Sequence, residues 1–207
     1  MKIPSYVSLA YLPRGIRVIN GSTKDPFSMI GGIDKSYDAI LFVGYHDAAG
    51  ANGNPLSHTI SSKIIRKIKI NDKIASELDI FLYGAAYLNI PTVFISGDKE
   101  VCNKAKNINK NIQAAITKEG CGYSTISIHQ DDAQELIECE VSKALEGNLS
   151  RYKVELPSNF VVDIEYNKHY DAKGNSHYPG ATLLDPFTIR YESSDYYDIL
   201  RLLFFTI

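Results

Sequence analysis

His46, His58 and Glu77 are the side chains whose types could act together chemically. Two imidazoles and a carboxylate make a donor set that Zn2+ or a similar cation accepts. Their spacing matches no short metal-binding motif, and each residue has an ordinary explanation. His46 could be a satisfied residue at a strand end, and His58 a surface loop residue. Glu77 could be the acid that offsets the dipole at a helix start. The spacing alone leaves both readings open.

Three elements must position these residues. Ala39-Ile40-Leu41-Phe42-Val43 is a continuous apolar run, the pattern of a strand buried on both faces. It stops at Gly44, so His46 falls just past the carboxyl end, where open α/β sheets place their ligand crevices. A loop from Asp47 to Leu56, rich in turn formers (Gly50, Asn52, Gly53, Asn54, Pro55), then delivers Ser57-His58-Thr59. Between Ala75 and Leu88, residues Leu78, Phe81, Leu82, Ala85, Ala86 and Leu88 recur at helical spacing, which puts Glu77 in the first turn of an amphipathic helix. Gly50 to Asn54 could instead cradle a phosphate, but the stretch has neither a G-x-G-x-x-G fingerprint nor a P-loop lysine. His129, His169 and His177 have no partners at suggestive spacing; a solvated loop accounts for the last two.

The rest of the chain alternates strands and helices. Tyr6–Leu12 and Ile16–Asn20 read as short strands broken at Arg14-Gly15, and Asp25-Pro26 reads as a helix start that Gly31-Gly32 soon ends. Ile64–Ile70 alternates like a strand with one wet face, and Asn71-Asp72 makes a turn. A buried-type strand at Pro91–Ser96, a short helix at Lys99–Lys106 and a strand at Ile112–Thr117 follow. Asp131 or Asp132 then caps a helix running toward Leu145. The expected fold is α/β, a mainly parallel, Rossmann-like or doubly wound sheet with helices on both faces. Residues 1–147 would form this part. After a polar connection at Gly147–Ser158, residues 148–207 would form a smaller α+β part, packed on it or used in oligomerisation. It holds strands at Phe160–Tyr166 and Phe187–Tyr191 and a helix from about Ser194. The last stretch, Leu200–Ile207, is apolar nearly all round and must be covered by this chain or a neighbouring subunit.

Composition narrows the function classes. A formal net charge of −2 over 207 residues, without a basic patch, argues against a nucleic-acid footprint. Cys102, Cys121 and Cys139 are an odd count without metal-type spacing, which suits a reducing cytoplasm. Met1–Gly15 lacks a signal-peptide core, and no apolar run reaches spanning length. The expectation is a soluble cytoplasmic protein without a membrane partner.

An ordered string of short motifs carries a resemblance. Pro26-Phe27-Ser28-Met29, Leu41-Phe42-Val43-Gly44-Tyr45-His46, Ser57-His58, Ile70-Asn71-Asp72 with Glu77, Pro91-Thr92-Val93 and Ser96-Gly97-Asp98 follow one another. Ile164-Glu165-Tyr166 and Pro179-Gly180 come later. Together they resemble the zinc-dependent D-aminopeptidases of the DppA type. The resemblance implies a cytoplasmic, ring-like homo-oligomer that removes N-terminal D-amino acids from short peptides at a two-zinc centre. On the matching positions, His46 corresponds to a ligand of one zinc, Glu77 to a ligand of the other, and His58 to the catalytic histidine.

The family's early Asp-x-Glu pair and its Asn-Asp-Ser-His segment have no counterpart, because no acidic residue precedes Asp25 and no histidine precedes His46. A bridging carboxylate eases the repulsion between two dications, so without it one Zn2+ or none is expected. Loss of a strand would also leave sheet hydrogen bonds for Tyr6–Leu12 or an oligomer contact to cover. Two readings follow. One is a metal-dependent amide hydrolase, its partners short D-amino-acid-containing peptides or amino-acid amides. The other is a truncated or degenerate homologue that keeps the fold and assembly surfaces without catalysis.

Overall fold

The computed structural model describes residues 12–207. In chain order the elements are β1 (Ile40–Tyr45), β2 (Ile65–Ile70), β3 (Lys73–Ile74), α1 (Glu77–Tyr87), β4 (Thr92–Asp98) and α2 (Lys99–Ile108). Then come β5 (Gln113–Cys121), β6 (Ser124–Ser127), α3 (Gln130–Leu145), β7 (Phe160–Tyr166), α4 (His169–Asn175), β8 (Thr182–Asp185), β9 (Thr188–Ser193) and α5 (Tyr196–Thr206). Single 3-10 turns lie at Ser28–Ile30 and Leu149–Tyr152.

The fold is α/β, with a mainly parallel first sheet in the order β1-β4-β5-β6. β1, β4 and β5 run parallel, and β6 closes the edge antiparallel. β4 is central, and all seven of its residues are buried, as its unbroken T-V-F-I-S core requires. Helices α1, α2 and α3 pack on this sheet.

A second sheet, β3-β2-β7-β9-β8, is antiparallel throughout. Ile64–Ile70 belongs there rather than to the parallel alternation. Its pattern I-R-K-I-K-I keeps one face wet, the habit of antiparallel strands, and Ile65, Ile68 and Ile70 are the buried positions. Pairing of β2 with β7 draws strands from both sides of the Gly147–Ser158 connection into one sheet. The turn at Asn71-Asp72 has φ of 50° and 64°, the left-handed pair that a tight two-residue hairpin needs, and both residue types tolerate it.

Other expectations shift. Tyr6–Leu12 falls outside the described residues but for Leu12, and Ile16–Asn20 forms no strand. Asp25 does start a turn, its Oδ1 accepting the Phe27 N–H at 2.8 Å, but a single 3-10 turn follows before Gly31. The cap of α3 is His129, whose Nδ1 accepts the Asp131 N–H at 3.3 Å; Asp131 and Asp132 occupy the first turn, where the dipole favours them. His169 opens α4 instead of sitting in a loop. β6 is exposed at every position and so carries no apolar signal.

α5 answers the question of its apolar surface. Ile199, Leu200, Leu202 and Leu203 are buried and the helix packs on α1, with the Tyr196 hydroxyl donating to the Ile80 carbonyl at 2.7 Å. Phe205 remains 64 % exposed.

Two polar ties bring the site elements together. Asp98, fully buried, caps α2 by accepting the Val101 N–H at 2.8 Å, while its other oxygen accepts the Asp47 N–H at 2.8 Å and the Asn54 side-chain amide. At the start of α1, Ser76 and Asp79 form a reciprocal capping box that makes Glu77 the first helical residue. Lys104 of α2 joins the two regions. Its Nζ donates to the Ile74 carbonyl at 2.9 Å, pairs with Asp79 at 3.2 Å and lies 3.9 Å from Asp47. Burial pushes the Asp47 carboxyl above the usual carboxylate range, against the pull of the Ala48 N–H and Lys104.

Gly97 lets the end of β4 approach β1: a Cβ there would lie 2.1 Å from the Tyr45 carbonyl oxygen, one residue before His46. Gly97→Ala is therefore expected to lower stability by about 1–3 kcal/mol through overpacking, read as a shift of the urea midpoint at constant slope. Lys104→Met is expected to cost about 1.5–3 kcal/mol by the same measure, since hydrogen bonds to charged groups are lost. Lys99→Met, which removes only the exposed pair with Glu119, should cost less than about 1 kcal/mol.

Candidate metal centre

The structure brings His46, His58 and Glu77 together, with one donor atom from each lying within 4.8 Å of the others. Among the described residues this is the one such group of three His, Cys, Asp or Glu side chains. His46 follows the carboxyl end of β1, and Glu77 opens α1 and is buried. His58 comes from the loop and is 35 % exposed in its side chain.

The two imidazoles stack, ring centres 4.2 Å apart at 27°, and His58 Nε2 lies 3.9 Å from Glu77 Oε1. The hydrogen bonds assign the tautomers. His46 Nδ1 is 3.0 Å from the Asp47 carbonyl oxygen, and His58 Nδ1 is 2.6 Å from that of Leu56. A carbonyl only accepts, so each Nδ1 carries the proton in the neutral ring and each Nε2 keeps its lone pair. Metal-ligating histidines are oriented in this way by a second hydrogen bond on the far nitrogen. Glu77 Oε1 accepts the Ile60 N–H at 2.8 Å, which fixes the carboxylate, and among the described residues Oε2 has no hydrogen-bond partner. Burial, and next the Glu77 charge, push the Tyr45 phenol well above its ordinary value, so it remains an O–H donor.

The loop that carries His58 is pinned at Thr59. Its buried hydroxyl donates to the Ala75 carbonyl at 3.0 Å and accepts the Ala49 N–H at 3.0 Å. The next residue, Ile60, has φ +61°, a left-handed conformation that a β-branched side chain adopts at a cost of about 1–3 kcal/mol. Its amide bond to Glu77 and the anchor at Thr59 hold it there.

These residues fit a zinc ion. His46 and Glu77 would hold it, an imidazole and a carboxylate being donors that zinc accepts, and His58 stands beside them with its Nε2 unprotonated. The Gly50–Asn54 loop is engaged otherwise: the Ala51 amide donates to Ala48, the Asn54 amide to the Ser57 hydroxyl, and Gly53 packs on Gly120. His129, His169 and His177 stand apart from the cluster. Sequence reasoning missed Asp98, Lys104 and Ile60. An acid between an apolar strand and a helix is a cap signal that could have marked Asp98. Nothing in the sequence announces the backbone of Ile60.

The D-aminopeptidase family, peptidase family M55, matches residues 6–205. A D-aminopeptidase of Bacillus subtilis (strain 168) is 27 % identical over 180 residues, which cover 86 % of this chain and 65 % of that protein. The chain thus spans slightly under two thirds of that relative's length. Among solved structures, the Zn-dependent D-aminopeptidase DppA from Bacillus subtilis, described as a self-compartmentalizing protease, superposes with a TM-score of 0.84 at 24 % identity. That similarity covers 96 % of this chain and 72 % of the other, and it supports the same α/β fold. With a match running through nearly the whole described chain, the family is settled: this protein belongs to the D-aminopeptidases of peptidase family M55.

Proposed function

We propose that the chain is a metal-dependent aminopeptidase that removes N-terminal D-amino acids from short peptides or amino-acid amides, with zinc as its ion. One observation carries the reading: His46, His58 and Glu77 each bring one donor atom within 4.8 Å of the others while both Nδ1 atoms are engaged on backbone carbonyls. The kinship with D-aminopeptidases and the zinc dependence of the DppA neighbour support the choice of substrate and metal.

In this reading His46 and Glu77 would hold a single Zn2+, and His58 stands beside them as the catalytic histidine with its Nε2 unligated. When bound, the ion would supply Lewis acidity to the scissile carbonyl and to water at the site. His58, on the solvent side of the cluster, moves the proton. Its Nε2 takes it from the attacking water and returns it to the departing amine. The Leu56 carbonyl on Nδ1 stabilises the imidazolium formed in between. Ile60 holds Glu77 in place through its amide, and the Tyr45 hydroxyl stays protonated as a donor near that carboxylate.

Residues 1–147 carry the ligands, and 148–207 supply assembly surface. A homo-oligomer is part of the proposal, supported by the self-compartmentalizing neighbour and by exposed apolar side chains such as Phe205, Leu184 and Leu183. A cytoplasmic setting is proposed from the three unpaired cysteines. Among the described residues no helix is long and apolar enough to cross a membrane.

Chelator-treated protein is expected to bind about one equivalent of Zn2+ by calorimetry, and His46→Ala or Glu77→Ala to lose that binding. Zinc-loaded protein is expected to hydrolyse D-alanyl dipeptides and D-aminoacyl amides. His58→Ala should lower kcat by about 10²-fold or more, the usual scale of acid–base catalysis. Turnover no greater than that of zinc-loaded His58→Ala would reduce the chain to a non-catalytic homologue.

A further inference from the structure

Beside the ligand set lies a cavity of about 150 Å3, walled by Ile60, Phe81, Leu203, Phe204, Pro26 and Ser28. It adjoins the ligands in two ways. Ile60, whose amide donates to Glu77 Oε1, contributes a wall with its side chain. Ile80 and Phe81, also in the lining, sit three and four residues after Glu77 on α1, so they share its helix face with Cβ atoms roughly 5–6 Å away.

The shape of this cavity depends on backbone that side chains rarely adopt. Ile60 and Ser28 both hold left-handed φ, at 61° and 47°, and both line it. Strained backbone of this kind is concentrated where a binding surface requires it. The floor is apolar and buried at Phe81, Ile80, Leu200 and Leu203. Among the described residues that line it, Ser28 offers the one side-chain hydroxyl and none is charged. An ammonium or carboxylate would find no partner there, whereas an alkyl or aromatic group would leave water for carbon.

We propose that this cavity is the subsite for the side chain of the substrate's N-terminal residue, and that it selects branched aliphatic or aromatic D-residues over D-alanine. The proposal rests on reading the His46, His58 and Glu77 cluster as the hydrolytic centre. The scissile carbonyl then lies at the cluster, and its α-substituent reaches past Ile60 into the cavity. Each added methylene in an apolar pocket is worth about 10-fold or more in kcat/KM. D-leucinamide and D-phenylalaninamide are therefore expected to exceed D-alaninamide by at least about tenfold.

The test uses the zinc-loaded full chain with two readouts. Rates on the three amides are compared, and D-leucine hydroxamate and D-alanine hydroxamate are titrated while the methyl signals of Ile60 and Leu203 are followed by NMR. The tenfold preference, tighter binding of the leucine hydroxamate and shifts at both methyl groups are expected. Ile207→Trp, at the chain end, fills the cavity and should erase the preference for D-leucinamide and D-phenylalaninamide; Phe204→Ala widens the mouth and should favour D-phenylalaninamide. Equal rates on all three amides with unmoved methyl signals would overturn the subsite and leave the hydrolase intact. Methyl shifts with tighter leucine hydroxamate binding but no amide turnover would keep the subsite and overturn the hydrolase. No binding and no turnover would overturn both.

Discussion

The buried carboxylate of Asp98 is the constraint on which the site depends. It ends the central strand, caps α2 and accepts hydrogen bonds from Asp47 and Asn54, so one side chain fixes where strand, helix and loop meet. A charge removed from water this completely is tolerable only when its oxygens are well supplied with donors, and three N–H groups point at it. Because Asp47 follows His46, and Asn54 braces the loop that delivers His58, both imidazoles inherit their places from this acid. Glu77 is placed separately, by the capping box of α1. Lys104 then links the two halves through Asp79, with Asp47 on its other side.

Much of this was legible in the sequence where burial leaves an unmistakable pattern. The unbroken apolar run of β4 and the helical spacing after Ala75 identify a central strand and an amphipathic helix. A strand that stops at Gly44 puts His46 at a carboxyl end, where it is found. The convergence of three residues far apart along the chain was readable only as a possibility, because spacing says nothing about which loop folds back.

What stayed hidden has physical reasons. Alternation in Ile65–Ile70 tells that one face is wet but not which strand is the neighbour, so its partner, β7, was out of reach. β6 buries nothing and leaves no hydrophobic trace. The left-handed backbone at Ile60 runs against its residue type and is imposed by tertiary contacts, as is expected where local preference yields to a binding surface. Lys104 looks like any solvated helix lysine until the capping acid of a different helix lies beside it.

The pairing of β2 with β7 has a consequence for how the chain comes to be made. β2 leaves the ribosome long before its partner, so its backbone donors and acceptors must wait through the synthesis of α3 and the connection that follows. A waiting strand edge invites the wrong neighbour. Arg66, Lys67 and Lys69 put three cations on this one short strand, and like charges on two nascent copies repel. In the finished fold Glu165 of β7 meets Arg66 and Lys67, so the charges that keep newborn chains apart become the ones that greet the proper companion.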